Sequence, residues 1–374
     1  MPPDTMRALT LHKTPGDFKP GPSCWHPVQL SDKVPVPAPA KDEVLVKIHA
    51  AAFNHRDLFQ RQSLYPGTVF TDEDNGKAAI MGADAVGTVV APAESALKGS
   101  LVLVAPAQGW LESADGPEGT FGILGAVKQS GYRGTFADYI AVRADHTAPC
   151  PDHLQRDLAK AATLPLGLVT AYRAVVTKAR VQQGHNVLVT GIGGGVAILA
   201  AQLCSALGAN VFVSSSDPGK LARAKSELGA KGAVNYKDAD WQKQLAAQMG
   251  HGVLLDAVID GAGGTALVTG LVRSLRDGAR VVVYGQTTGK APELNMLAVL
   301  KNIELKGSTM GSLSEWKEAV RLVGQCALVP VVDETLDSLD RFEDGFERMK
   351  RAKQFGKIAV LVSDPNNEPP QGKL

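Results

Sequence analysis

Cysteine clusters, excess charge of either sign and long apolar runs are all missing from this chain of 374 residues. Its four cysteines, Cys24, Cys150, Cys204 and Cys326, lie far apart and never in a C-x-x-C spacing. That spacing argues against a disulfide framework and a cysteine-rich structural zinc site, and leaves reduced thiols as the expectation. The formal charge of +1 gives no reason to expect a nucleic-acid or membrane partner. Every apolar run stops well short of the ~20 residues a membrane span needs. Met1-Pro2-Pro3-Asp4 lacks the basic-then-apolar order of a secretory leader, so a cytoplasmic protein is expected by default. What is present, 44% hydrophobic and 21% charged residues, suits about two globular domains with ample core.

The pattern changes near residue 155. Before it, residues 44–48, 85–90 and Leu101–Val104 are short β-branched runs set between proline and glycine clusters. They predict a mostly antiparallel β-domain with irregular loops, and 35–39 (PVPAP) reads as an extended connector. After it, a helix is predicted over 158–177. Buried strands follow at 186–190, 210–213, 233–234, 257–259 and 280–284, with helices over 196–207 and 221–228. Apolar strands alternating with helices predict a parallel, doubly wound sheet. Helices near 314–324 and 340–350 and a strand at 357–362 come last. The polar, proline-rich tail 363–374 reads as disordered.

Residues 191–197 (GIGGGVA) stand between the first of these strands and its helix. Glycine lets the backbone turn sharply and come close to a pyrophosphate, and the first N–H groups of the helix then meet the anion. Strand, glycines and helix in that order predict a dinucleotide cradle at Gly193, Gly194, Gly195 and Val196. A site built for NAD usually carries an acid after the second strand, about 20 residues beyond the glycines. Here that place holds Ser214-Ser215-Ser216, and Asp217 arrives later, in a turn. Hydroxyls donate to a 2′-phosphate and a carboxylate repels it, so NADP(H) is the expected cofactor. Ser214, Ser215, Lys220 and Tyr236 are its candidate contacts. A plain strand-to-helix turn with a solvated lysine is the competing reading.

Four stretches now carry a resemblance. They are Ala52-Phe53-Asn54-His55-Arg56-Asp57 with Ser63-Leu64-Tyr65-Pro66-Gly67; Met81-Gly82-Ala83-Asp84-Ala85-Val86-Gly87; 164–172 (LPLGLVTAY); and the glycine loop with Gln202. In this order the chain resembles the medium-chain dehydrogenase/reductase superfamily, in its zinc-independent quinone oxidoreductase branch. The resemblance implies an α/β architecture: a GroES-like β-domain plus a Rossmann doubly wound parallel sheet. It implies a GroES-like catalytic domain over 1–155, a Rossmann domain over 156–306 and a return segment over 307–374. The active site would sit in the cleft between the domains. A homodimer would form by edge pairing of Rossmann sheets, with 295–305 a candidate interface.

Where zinc-dependent relatives carry three catalytic metal ligands, the resemblance places Asn54, Ala83 and Leu166 here. Ala83 and Leu166 have no ligand atom in their side chains, and a catalytic zinc needs three protein ligands. The segment 121–136, where a four-cysteine structural lobe would fall, has no cysteine. No metal is therefore expected. Without a Lewis acid, negative charge on the substrate must be met by hydrogen-bond donors, which favours acceptors that delocalise it. The expected reaction is NADPH-dependent reduction of a quinone or an α,β-unsaturated carbonyl compound. Candidate catalytic residues are Asn54, whose amide could face nicotinamide or substrate, and Tyr65, whose phenol could donate to a carbonyl oxygen. Asp57 is expected to orient its neighbours through backbone hydrogen bonds, and His55 and Arg56 to be local salt-bridging or surface groups. Thr170 matches a family position near the nicotinamide. Gly261 and Gly285, after the fourth and fifth strands, would let backbone approach the cofactor. Phe355-Gly356-Lys357 resembles a C-terminal family segment, and Lys357 reads as a surface strand lysine, with a second-tier cofactor contact the alternative. An enoyl reductase of a biosynthetic pathway, or a cofactor-binding protein with little turnover, remain alternatives. A zinc alcohol dehydrogenase is disfavoured by the missing ligands.

Overall fold

The structure is a computed structural model that describes residues 2–16, 19–287 and 289–363. The tail expected to be disordered lies, from residue 364 on, outside the described residues. Two compact units divide the chain: Met1–Leu166 with Ser312–Leu374, and Gly167–Gly311. The borders expected from the sequence fell at 155/156 and 306/307. The helix expected over 158–177 explains the first difference. It breaks into Leu158–Ala162 and Pro165–Tyr172, because Pro165 has no N–H to continue the ladder and restricts the residue before it. The first piece packs on the sheet of the first unit, against Glu43–Ala52 and Asp84–Ala91. The second opens the second unit and runs into a wider π-helical turn, Arg173–Lys178.

In the first unit, strands run in the order Val332–Leu336, Lys357–Leu361, Glu43–Ala52, Asp84–Ala91, Leu101–Val104 and Thr147–Pro149. Tyr139–Arg143 pairs with residues 43–47 of Glu43–Ala52, whose residues 50–52 pair with the returning strand Lys357–Leu361. The last strand of the chain thus completes the sheet begun by the first third of it. Every pairing is antiparallel except the one between Val332–Leu336 and Lys357–Leu361. Helix Leu313–Gln325 opens the return. Ser312 Oγ accepts the Glu315 N–H at 3.1 Å while Glu315 Oε2 accepts the Ser312 N–H at 2.7 Å, a reciprocal cap that fixes its start.

The second unit is a parallel sheet in the order Gly232–Asn235, Asn210–Ser215, Asn186–Val189, Leu255–Asp260, Leu275–Val283 and Glu304–Gly307. Numbered within the unit this is 3-2-1-4-5-6, the doubly wound arrangement whose strand ends bind dinucleotides. Central strands are apolar on both faces because helices cover both. Leu188, Phe212, Val258 and Val281 are buried in the resulting core. The sixth strand, Glu304–Gly307, was not foreseen. It is an edge strand, and Glu304 and Lys306 within it give it no apolar run.

Candidate functional site

The glycine loop of the second unit follows strand Asn186–Val189. Gly193 takes φ +128°, a backbone conformation that L side chains rarely adopt, and Gly194 is the extended N-cap of helix Gly195–Ala206. The loop is tied down by the Ile192 N–H, which donates to Ser214 O at 2.9 Å. Helix geometry leaves the first-turn N–H groups of Gly195 and Val196 without an intrahelical carbonyl, so they are available to an anion. A Cβ on Gly194 would meet nothing nearer than 4.0 Å, so the backbone there is open to a close approach. A Cβ on Gly193 would lie 2.7 Å from Lys220 Cδ and 3.2 Å from its Nζ. The Lys220 side chain therefore lies across the loop and brings its ammonium to the cradle.

Lys220 reaches this place because its helix, Pro218–Leu228, starts there: Asp217 Oδ1 accepts the N–H groups of Gly219 and Lys220 at 2.8 and 3.2 Å. The acid that could repel a phosphate is thus occupied as a helix cap. Ser214 and Ser215 are buried at the end of the second strand, and Ser215 Oγ accepts the Asp217 N–H at 3.2 Å. Tyr236 is exposed, and its N–H donates to Ser215 O at 3.2 Å. Gly193, Ser215, Lys220 and Tyr236 are in this way brought to one end of the sheet. The residues present fit a dinucleotide.

Two other expectations read differently in the structure. A Cβ on Gly261 would lie 2.6 Å from the Tyr284 ring, and one on Gly285 would lie 2.7 Å from Gly261 O. These glycines are required by the packing of two strand ends on each other, which is a reason independent of any cofactor. Thr170 is buried and its hydroxyl lies 3.6 Å from Met310 Sδ. Asp260, at the end of the fourth strand, joins the ends of the first and fourth strands: it accepts from Thr190 Oγ1 at 2.5 Å and from the Gly263 N–H at 2.6 Å. Burial raises its pKa against those hydrogen bonds.

In the first unit the strand Glu43–Ala52 is followed by Phe53, and the chain turns at Asn54 into helix His55–Arg61. Asp57 Oδ2 accepts the Asn54 N–H at 2.8 Å, the orienting contact expected of it. Asp57 is fully buried, which pushes its pKa up to about 6 despite the lowering pull of Arg56, that N–H and Lys357. The Asn54 amide is committed inward. Its Nδ2 donates to Asp84 Oδ2 at 2.9 Å and to Ala52 O at 3.4 Å, and its Oδ1 accepts from Lys357 Nζ at 2.6 Å. It offers its neighbours what was expected to face nicotinamide or substrate. Lys357 itself corrects the sequence reading. It is 7% exposed, and donates also to Asp84 Oδ2 at 2.7 Å, while Leu166 N donates to Asp84 Oδ1 at 2.6 Å. The signal was in the run Lys357–Leu361: a strand apolar on both faces is covered on both faces, and a lysine inside it needs a buried counter-ion.

Asn54 and Leu166 N thus converge on the Lys357 ammonium and Asp84 carboxylate, which neutralise each other. Among the described residues no three His, Cys, Asp or Glu side chains stand where they could hold a metal. A three-ligand zinc does not fit the residues present. Arg56, expected to be local or surface, is 7% exposed. Its guanidinium lies 4.6 Å from the centre of the half-buried Tyr65 ring. His55 is exposed to solvent yet surrounded by enough protein to lower its pKa.

Residues 40–152 match the family described as alcohol dehydrogenase GroES-like domain, and residues 195–325 the family described as zinc-binding dehydrogenase. A zinc-type alcohol dehydrogenase-like protein, YogA, from Leptosphaeria maculans is 41% identical over 95% of this chain and 99% of its own. This chain is a medium-chain dehydrogenase/reductase. Solved structures of such enzymes overlie it along its length. The crystal structure of an NAD-dependent alcohol dehydrogenase matches with a TM-score of 0.78 and 30% identity, covering 96% of this chain and 100% of that one. The 2-octenoyl-CoA carboxylase reductase CinF, solved with NADP and 2-octenoyl-CoA, matches with a TM-score of 0.79 and 25% identity, covering 98% and 90%. This medium-chain dehydrogenase/reductase is an oxidoreductase. One of its family models and the YogA relative are described by zinc, and its own Asn54–Asp84–Lys357 cluster departs from that description.

Proposed function

We propose that the protein is a zinc-independent, NADPH-dependent reductase of quinones or α,β-unsaturated carbonyl compounds. The observation that carries the reading is the closure of Asn54, Asp84 and Lys357 on one another, in a chain that also holds a dinucleotide cradle with Lys220 laid across it. NADPH, when bound, supplies a hydride. Gly193, Gly194, Gly195 and Val196 would hold its pyrophosphate, and Ser214, Ser215, Lys220 and Tyr236 its 2′-phosphate. Thr170, Gly261 and Gly285 would border the nicotinamide half. The Tyr65 hydroxyl would donate to the acceptor's oxygen, where charge gathers as the hydride arrives at the conjugated carbon. Asn54 and Asp57 would act by fixing the turn that carries these groups. The likeness to CinF favours the enoyl form of this reading, with an unsaturated acyl thioester as acceptor.

Two further expectations belong to the same proposal. Leu294, Met296, Val299 and Leu300 are exposed apolar side chains that precede the edge strand Glu304–Gly307, and two copies would pair along that edge. Four free thiols suit a reducing compartment such as the cytoplasm, and no helix of the described residues is long and apolar enough to cross a membrane.

Titration of the metal-free protein with NADPH and NADH, followed by a panel of quinones, enones and enoyl thioesters, tests the proposal. NADPH should bind at least about tenfold tighter than NADH, a difference of ~1.4 kcal/mol. Equal affinities would remove the NADP assignment. Turnover that appears only with added zinc would remove the zinc-independent one.

A further inference from the structure

Arg56 bridges two segments that are far apart in sequence and adjacent in space. On one side its guanidinium lies under the Tyr65 ring at 4.6 Å. On the other, Nη1 donates to Leu124 O at 2.6 Å and Nη2 to Gly125 O at 2.9 Å. Gln60, one turn along the same helix, donates to Gly125 O at 2.8 Å. Gly125 is needed for this approach, since a Cβ there would lie 2.7 Å from Arg56 Nη1. The segment so held carries Phe121, Gly122, Ile123 and Val127, which with Tyr65 and Pro66 line a hollow of about 220 Å³. One guanidinium therefore fastens both walls of the hollow into which Tyr65 faces.

We propose that Arg56 is a positioning residue for this reaction, holding the Tyr65 hydroxyl at one wall of a small acceptor pocket whose lining mixes apolar side chains with the Gln129 amide. The inference rests on the reading of Tyr65 as the donor to the acceptor's oxygen. Three features make arginine the residue for the task. Its plane stacks on a ring, its fork reaches two successive carbonyls, and its charge stays fixed beside Asp57, at 3.4 Å. Lysine keeps the charge and loses the plane and the fork. The pocket is the size of a quinone ring or a short enal, so the apolar tail of a longer acceptor would extend out of it.

A double-mutant cycle between Arg56→Lys and Tyr65→Phe tests the inference, because Tyr65→Phe keeps the stacked ring and removes only the hydroxyl. Wild-type turnover on the acceptor panel is measured first. Tyr65→Phe should lower kcat at least tenfold. Arg56→Lys should lower kcat/KM about tenfold in the wild type and less than twofold in the Tyr65→Phe background, with the NADPH affinity unchanged in both. A merely structural arginine would give equal losses in the two backgrounds, and that result overturns the inference. So does an undiminished kcat in Tyr65→Phe, whatever the arginine variants do. If Arg56→Lys does not fold, Arg56→Gln, which keeps donors for the carbonyls, replaces it in the same cycle. No turnover of any acceptor by the wild type would overturn the reductase reading and this inference with it, whereas turnover with additive losses overturns this inference alone.

Discussion

In the first unit Arg56, Asp57, Arg61, Asp84 and Lys357 are all buried, whereas the charged residues buried among the described part of the second are Arg173 and Asp260. The second unit would meet a dinucleotide mainly with backbone: glycines, first-turn N–H groups and one lysine that approaches from a neighbouring helix. The first unit builds its polar centre from ionised side chains brought together across the chain. Arg61 shows the style. Its guanidinium is 2% exposed, forks onto Glu343 at 2.8 and 2.9 Å, and stacks 4.0 Å from the Trp25 ring and 4.6 Å from the Phe346 ring. Such a centre is rigid when complete, and costly when one member is taken away. The cradle has fewer such dependencies. The two units should therefore respond to substitution on different scales.

The largest effect is expected at Lys357. Lys357→Met leaves the Asp84 carboxylate buried with only the Asn54 amide and Leu166 N–H for company. Breaking one partner of a buried pair costs about 3–5 kcal/mol. Asp84→Asn in the same chain removes the stranded charge and should restore much of that loss. Urea unfolding read by tryptophan fluorescence would report it, since Trp25, Trp110 and Trp316 all belong to the first unit. A single-variant cost below about 1 kcal/mol would mean that water or a shifted side chain compensates Asp84, and the contrast between the units would lose its main support.

The contrast also explains what could be read in advance. Gly191 to Val196 act through local order, strand then glycines then helix, so a single window of sequence contains the whole device. Lys357 and Asp84 are 273 residues apart, and nothing near either names the other. Arg56 does make the local ion pair expected of it, with Asp57 at 3.4 Å, but its burial was hidden for the same reason: its other partners are the backbone carbonyls of Leu124 and Gly125, which carry no side-chain signal. The edge strand Glu304–Gly307 and the break at Pro165 escaped because charge hid one and an unbroken apolar pattern hid the other. The positions without ligand atoms, Ala83 and Leu166, were legible as residue types, but the ammonium standing beside Asn54 and Asp84 was not.

A smaller effect, confined to one pH window, is expected at Asp57. Its folded pKa of about 6 lies above the ordinary 3.8, so the folded state binds the proton more tightly than the unfolded chain does. Between those values the folded protein holds more protons, and stability must fall as pH rises through the window. The fall attributable to this group is on the order of 2–3 kcal/mol, fully developed above pH ~6. Arg56, Lys357 and Asp84 face it. Asp57→Asn still offers an oxygen to the Asn54 N–H, though its amide then faces Arg56. That contact shifts stability equally at every pH, so the readout is the slope. Stability of wild type minus variant should decline from pH 4 to pH 6, and a flat difference would mean that Arg56 outweighs burial and keeps Asp57 ionised.

The smallest effect of the three is expected in the cradle, at Lys220, and there it should appear in binding and not in stability. Lys220 is half-buried on the first turn of its helix, and Asp217 caps that turn through backbone N–H groups, so the helix start survives loss of the lysine side chain. Lys220→Ala should weaken NADPH by about tenfold, ~1.4 kcal/mol, and leave NADH within about twofold, because only the former carries the additional phosphate. Equal weakening of both would place the ammonium on the pyrophosphate that the two cofactors share, as its path across Gly193 also allows. Selectivity would then rest on Ser214, Ser215 and Tyr236. The measured ratio thus decides whether Lys220 discriminates between cofactors or only helps to hold them.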